Sequence, residues 1–299
     1  MGIEAVASSR PVMRLGMFVS QHVPRGLVER LAWSVAGVLC RLKPAAYYTV
    51  LGNLRHVMGA ETAEAALVEA TRRVFYTTMD SAYELFWALS RPEEELSAHV
   101  DFPAATLAVA STIWQNKGGT VLVFPHLGSF DLAGVILATH LPPIQTLSLA
   151  NPGSGFRWVN ELRERTGARM TPLSPTALRE ALRHLRGGGV LGVAGDRPVS
   201  ELDEPVPFFG RPARMPSGHI RLALQTGAAI VVGYCPKLAE TGQYTMHLDP
   251  PLEVVRTGDR EEDMRLNMQR VLQALEEPIR RWPEQWQMYV PVWPDVQPA

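Results

Sequence analysis

The sequence predicts an α/β fold, a mixed and mainly parallel sheet flanked by helices, with an N-terminal helical extension. Three observations predict it. Short apolar runs such as 120–124 (TVLVF) and 190–194 have the length and β-branched content of buried strands. Segments of helical periodicity separate these runs, as parallel strands joined by crossover helices require. Residues 20–100, in contrast, carry helical patterns only.

In chain order, the run 27–42 puts Leu27, Leu31, Val35, Val38 and Leu42 near one helical face, with Arg25, Arg30, Arg41 and Lys43 around it. Such a helix can lie in a bilayer interface or pack on the protein's own core; its place beside a suspected lipid site favours the bilayer. A second helix is expected over 61–89, with Ala66, Ala70, Val74, Met79, Tyr83 and Phe86 on its inward face, closed by Arg91-Pro92. Strand 120–124 then leads through a polar loop to helix 132–139. A strand at 144–149, helices at 155–165 and 176–185, and a strand at 190–194 follow. Strands at 230–235 and 244–248 and a long helix over 261–279 complete the pattern. The 299 residues read as one domain, 1–299, with a helical part over 20–100 and an α/β part over 101–299.

Composition excludes several classes. A 46% hydrophobic, 20% charged chain is neither disordered nor polytopic. A net charge of −1, and no basic stripe interleaved with aromatics outside the first helix, argue against a nucleic-acid partner. Cys40 and Cys235 lie far apart and read as buried thiols. The histidines at 22, 56, 99, 140, 184, 219 and 247 are too scattered to suggest a metal. Residues 1–20 hold no apolar run of signal-peptide length, and the stretch 31–42 is interrupted by Ser34 and Arg41, so a cytoplasmic location is expected.

The polar loop after the first strand carries the chemistry. His126 ends the strand and Asp131 follows five residues on, in what should be the first turn of a helix with Ser129 as its N-cap. Folded back, the Asp131 carboxylate can hold one imidazole nitrogen and leave the other as a base. The backbone N–H groups of Gly128 and Ser129 could favour negative charge nearby. Taken alone, a histidine and an aspartate five apart can also be a loop histidine satisfied by a cap residue. The carboxyl end of a buried strand is, however, where open α/β sheets place their ligands.

The run His126-Leu127-Gly128-Ser129-Phe130-Asp131 matches the HX4D motif of the lysophospholipid acyltransferase superfamily. The wider chain resembles the branch that holds the lipid A lauroyl and myristoyl acyltransferases and the phosphatidylinositol mannoside acyltransferase. Asn53-Leu54-Arg55-His56-Val57 resembles its early NLR-type element, Phe208 to Ala213 its FFG-x-x-A element, and Pro283-Glu284-Gln285-Trp286, with Trp293 beyond, its terminal P-E-x-W pattern. The resemblance implies a glycerolipid acyltransferase-like fold. It also implies transfer of an acyl chain from acyl-CoA or acyl carrier protein to a hydroxyl of a lipid or glycolipid, with the thioester as co-substrate and no metal or other cofactor. By the same resemblance His126 is the base and Asp131 its orienter, Arg163 matches an arginine beside the active site, and Asp196-Arg197 match the start of a D-R-D-like element. At the end of the second buried strand Asp196 could be a second carboxylate for the imidazole, and Arg163 and Arg197 could meet anionic groups of either substrate. The amphipathic helix beside this suspected lipid site makes a peripheral place on the cytoplasmic face of the cell membrane, contacted through residues 25–43, the expectation.

The residues leave other readings open. Arg163 sits among Arg157, Glu161, Glu164 and Arg165, as a solvated helix face would. Asp196-Arg197 can be a plain strand-end turn. Pro198 replaces the second acid of a D-R-D-like element and His219 stands where the family more often has proline. A thioesterase using the same base, and a non-catalytic lipid-binding protein, are the competing functions; no G-x-S-x-G elbow supports a serine esterase.

Overall fold

The computed structural model describes residues 9–298 apart from 97–98, 149, 152, 166 and 200–202. Its helices are α1 (Arg10–His22), α2 (Arg25–Leu42), α3 (Ala45–Met58), α4 (Glu64–Ala88), α5 (Glu93–Leu96), α6 (Ala104–Gln115), α7 (Phe130–His140), α8 (Ser154–Glu164), α9 (Pro175–Arg186), α10 (Gly218–Thr226) and α11 (Arg260–Arg281). Its strands are β1 (Val100–Asp101), β2 (Thr120–Phe124), β3 (Ile144–Ser148), β4 (Arg169–Pro172), β5 (Val190–Ala194), β6 (Pro205–Phe208), β7 (Arg211–Arg214), β8 (Ala229–Tyr234), β9 (Tyr244–Thr245) and β10 (His247–Leu248). A 3-10 turn at Pro283–Gln285 follows α11.

The main sheet runs β10-β8-β2-β5-β3-β4, parallel except for β10 at one edge. This is the mixed, mainly parallel sheet that the apolar runs predict. Alternation along each strand sends side chains to two separate cores. Val121, Val123, Leu191, Val193, Ile230 and Val232 pack against α9, α10 and α11 on one face. Leu122, Ile144, Val190 and Val231 pack against α6, α7 and the end of α4 on the other. The expected strand over 244–248 divides at Met246: β9 pairs with β1, and β10 with β8. Residue 149, which closes the expected strand over 144–149, lies outside the described residues, and β3 ends at Ser148.

The N-terminal helices make a third core. Ala36, Tyr47, Leu54, Leu67 and Val74 are buried where α2, α3 and α4 meet. Contact from α2 to this core goes through the small Ala36, with Leu39 and Cys40 packed beside it. The stripe of Leu27, Leu31, Val35, Val38 and Leu42 points the other way, with Leu31 at 54% and Leu42 at 73% exposure. Helix α1 adds Val12, Leu15 and Phe18, also exposed. No described helix is long and apolar enough to cross a membrane.

Polar contacts fasten α2 to the body. Arg25 forms ion pairs with Asp80 and, at 2.6 Å, with Glu84, both buried on α4. Tyr244 donates its hydroxyl to Asp80 at 2.6 Å, Lys237 lies 3.3 Å from the same carboxylate, and His99 meets Glu84 at 2.5 Å. Burial pushes the Tyr244 phenol well up, so it stays a neutral donor.

His219, near the start of α10, is buried among the sheet's helices, and burial pushes it down to about 4 from the usual 6.5. Between those two values the unfolded chain binds a proton that the folded chain refuses. Stability should therefore fall as pH falls through this window, by up to about 3 kcal/mol from this group. Unfolding by urea at pH 7, 6, 5 and 4 should show the loss, and His219→Gln should flatten it, whatever that variant does to stability at pH 7.

Candidate active site

The sheet brings His126 and Asp196 together. β2 and β5 pair in parallel with Phe124 opposite Ala194, so two residues beyond each strand end His126 faces Asp196. Gly195 continues the ladder, its N–H donating to the Phe124 carbonyl at 3.1 Å. A Cβ at 195 would come within 2.5 Å of a Val123 methyl, so the chain can pass this close only as glycine.

Asp196 is fully buried and accepts three hydrogen bonds. His126 Nδ1 donates to Oδ1 at 2.7 Å, the His126 backbone N–H to Oδ2 at 2.7 Å, and Trp286 Nε1–H to Oδ2 at 2.8 Å. With Nδ1 facing a carboxylate, that nitrogen carries the proton and Nε2 keeps its lone pair. Nε2 has no hydrogen-bond partner among the described residues, and the side chain is 19% exposed. The Phe130 ring stands edge-on to the imidazole, centroids 5.1 Å apart.

Asp131 is not the partner of this histidine, contrary to the sequence expectation. It lies in the first turn of α7 and takes Arg163 of α8 at 2.6 Å. Five residues carry the chain from the strand end onto the helix, whereas the imidazole turns along the sheet towards β5. Arg163 is 12% exposed and paired, so it does not belong to a solvated face. Arg197 sits half-buried next to Asp196.

The two amides expected to meet negative charge are already engaged. Gly128 N–H donates to the Gln285 carbonyl at 3.1 Å and Ser129 N–H to the Cys235 carbonyl at 2.9 Å. Ser129 holds the N-cap position of α7, but its hydroxyl accepts from Ser81 at 3.3 Å instead of capping the helix. The amides that open α7, those of Phe130 and Asp131, have no acceptor within the helix.

The segment after α11, whose P-E-x-W pattern is visible in the sequence without a role, supplies what was missed. Gln287 N–H donates to the His126 carbonyl at 2.7 Å and its side-chain amide to the Gly128 carbonyl at 2.5 Å. Trp286 reaches Asp196 from the same stretch.

Fold and site together define an α/β protein with a carboxylate-oriented histidine at the carboxyl edge of a parallel sheet. Residues 12–294 match the family model described as bacterial lipid A biosynthesis acyltransferase, and the chain belongs to that family. It is similar to the phosphatidylinositol mannoside acyltransferase of Mycolicibacterium smegmatis, 30% identical over 183 residues, which cover 58% of this chain and 57% of that protein. The Mycobacterium tuberculosis protein of the same name is 34% identical over 124 residues, 39% of this chain and 38% of its own. The matched region thus spans just over half of the first relative and less of the second.

The turn at 128 is the tightest point of the site. Gly128 has φ +61°, and a Cβ there would lie 2.0 Å from the Cys235 carbonyl oxygen. Gly128→Ala should cost about 3 kcal/mol or more, from the left-handed backbone and from moving β8 away. Urea unfolding measures it; a loss below about 1 kcal/mol would mean that the turn relaxes freely.

Proposed function

We propose that this protein transfers a fatty acyl chain from the thioester of acyl-CoA or acyl carrier protein to a hydroxyl of a lipid or glycolipid acceptor. The observation that carries the reading is the His126–Asp196 pair, which fixes the imidazole tautomer and leaves Nε2 as a base. In the reaction, Nε2 takes the hydroxyl proton as the alcohol oxygen attacks the thioester carbonyl. Asp196 stabilises the imidazolium that results. The tetrahedral oxyanion then collapses, the C–S bond breaks, and the imidazolium returns the proton to the leaving thiolate.

The opening amides of α7 suit the oxyanion better than those of Gly128 and Ser129, because they are not used by other strands. Asp131 holds Arg163 across the site, so that the guanidinium is presented rigidly to an anionic group of donor or acceptor. Names of the relatives and the family favour a glycolipid acceptor. Labelled acyl-CoA or acyl carrier protein, incubated with purified protein and total host lipid and read by mass spectrometry, tests donor and acceptor at once. Release of free fatty acid alone would favour a thioesterase, and neither product a lipid-binding protein.

His126→Ala should lose transfer by on the order of a hundredfold or more. Asp196→Asn should lose much of the same activity, since an amide cannot stabilise the imidazolium, and the double variant should be scarcely worse than His126→Ala. Asp131→Asn and Arg163→Ala should form a second non-additive pair, each weaker by about one to two orders of magnitude. Initial rates at saturating donor, in variants with wild-type melting, decide it. Near-normal turnover in His126→Ala would sink the mechanism.

The exposed apolar faces of α1 and α2, flanked by the exposed Arg30, Arg41 and Lys43, support a peripheral place on a membrane surface, for which the cytoplasmic face of the cell membrane is the side proposed. Replacing Leu31, Val35 and Val38 together by Ser should weaken binding to anionic phospholipid vesicles by about tenfold or more, with little change in stability because the three side chains are exposed. A folded triple variant that cosediments with vesicles as the wild type does would refute this.

A further inference from the structure

We infer that Trp286 is a positioning residue of the reaction, acting through Asp196: its indole N–H, not its bulk, holds the carboxylate in the plane that serves His126. The inference rests on the general-base reading above. Among the described residues no lysine or arginine forms an ion pair with Asp196, and its charge is met by three N–H groups, two of them from His126 itself. Trp286 Nε1–H, at 2.8 Å, is therefore the one donor that does not belong to the histidine being oriented. Without it, Oδ2 keeps only the His126 backbone amide, and the carboxylate can rotate about its Cβ–Cγ bond. Oδ1 would then leave the line of Nδ1, and the imidazole would lose both its tautomer lock and the charge that stabilises its cation.

The indole is itself held with unusual completeness. Trp286 is fully buried, and Phe208 and Trp293 meet its ring edge-on at 6.4 Å. Its neighbours in sequence, Gln285 and Gln287, hydrogen-bond the backbone at Gly128 and His126. One strap thus grips both halves of the pair: the histidine by its main chain and the aspartate by its side chain. A tryptophan selected only to fill the core would not need its nitrogen at this carboxylate.

Trp293 supplies the control, since it lies in the same cluster but donates its Nε1–H to the Phe208 carbonyl at 3.3 Å. Trp286→Phe and Trp293→Phe should lower melting temperature comparably. Only Trp286→Phe should lower kcat, by on the order of tenfold, with KM for donor and acceptor within about twofold. The downfield proton resonance of His126 Nδ1–H should shift or broaden in that variant alone. Should Trp286→Phe not fold, benzothienylalanine at position 286 keeps the bicyclic shape and removes only the N–H, and the same changes are expected. An unaltered kcat and resonance in either 286 variant, or equal effects from Trp293→Phe, would overturn the assignment. The resonance reads the hydrogen bond itself, so an active His126→Ala would defeat the general-base reading while this test of the strap still stands.

Discussion

A buried carboxylate that no lysine or arginine among the described residues pairs with, Asp196, is the constraint around which the α/β part is arranged. Isolated in the interior, the charge of Asp196 would be prohibitively costly, so donors must be brought to it from wherever the chain can supply them. Two come from the end of β2, which requires β2 and β5 to be neighbours in that register, and requires Gly195 to let the strands close. The third comes from ninety residues further along the chain. For Trp286 to arrive, the segment after α11 must cross the carboxyl edge of the sheet, and the rest of the C-terminal structure secures that crossing.

The other motifs of the sequence acquire a physical meaning from this. Asn53, in the NLR-type element of α3, donates from its amide to the carbonyls of Met288 and Val290 and accepts from the Val292 N–H. Phe208 stacks on Trp293, and the Phe209-Gly210 turn joins β6 to β7 with both residues at positive φ. A phenylalanine in that conformation is costly; its N–H is compensated by Glu276 at 2.6 Å, and Arg280 lies over its ring. Early, middle and terminal motifs therefore meet on one segment, behind the His126–Asp196 pair. On the far side of the His126 turn, the Asp80 cluster joins α2, α4 and the loop after β8, and Ser81 next to it contacts Ser129. The exposed face of α2 is thus tied, through α4, to the start of α7.

The central strands β2, β5 and β8 were the legible part of the sheet, because each is a short apolar run, whereas the edge strand β4, half exposed and without such a run, carries no signal of that kind. Helix α1 was not read, since Val12, Leu15 and Phe18 face outward and its inward side rests on the partly buried Met13 and Met17. Helix α3 escaped as a helix because Asn53 and its neighbours stood out as a motif, and the β6–β7 hairpin because Phe208 and Phe209 did. At the site, the histidine could be found from its place after β2. Asp196 could be suspected from its place after β5, but the choice between it and Asp131 depends on strand order, and strand order is a tertiary fact. The same holds for Trp286: nothing local to P-E-x-W says which buried group its nitrogen meets.

That choice also explains why two aspartates are present where one base needs one partner. A carboxylate in full ion pairing with a guanidinium has its charge largely cancelled, and so offers little to a developing imidazolium. Asp131, held by Arg163 at 2.6 Å, is in that condition. Asp196 is met by neutral N–H dipoles, which satisfy its lone pairs and leave its net charge in place, and at full burial the attraction is correspondingly strong. On the proposed mechanism the five-residue spacing serves a different end from orienting the base: it sets a carboxylate on the first turn of α7, where it fixes Arg163. In that proposal Asp196 supports the proton transfer, and Asp131 holds a cation for the charged parts of the substrates.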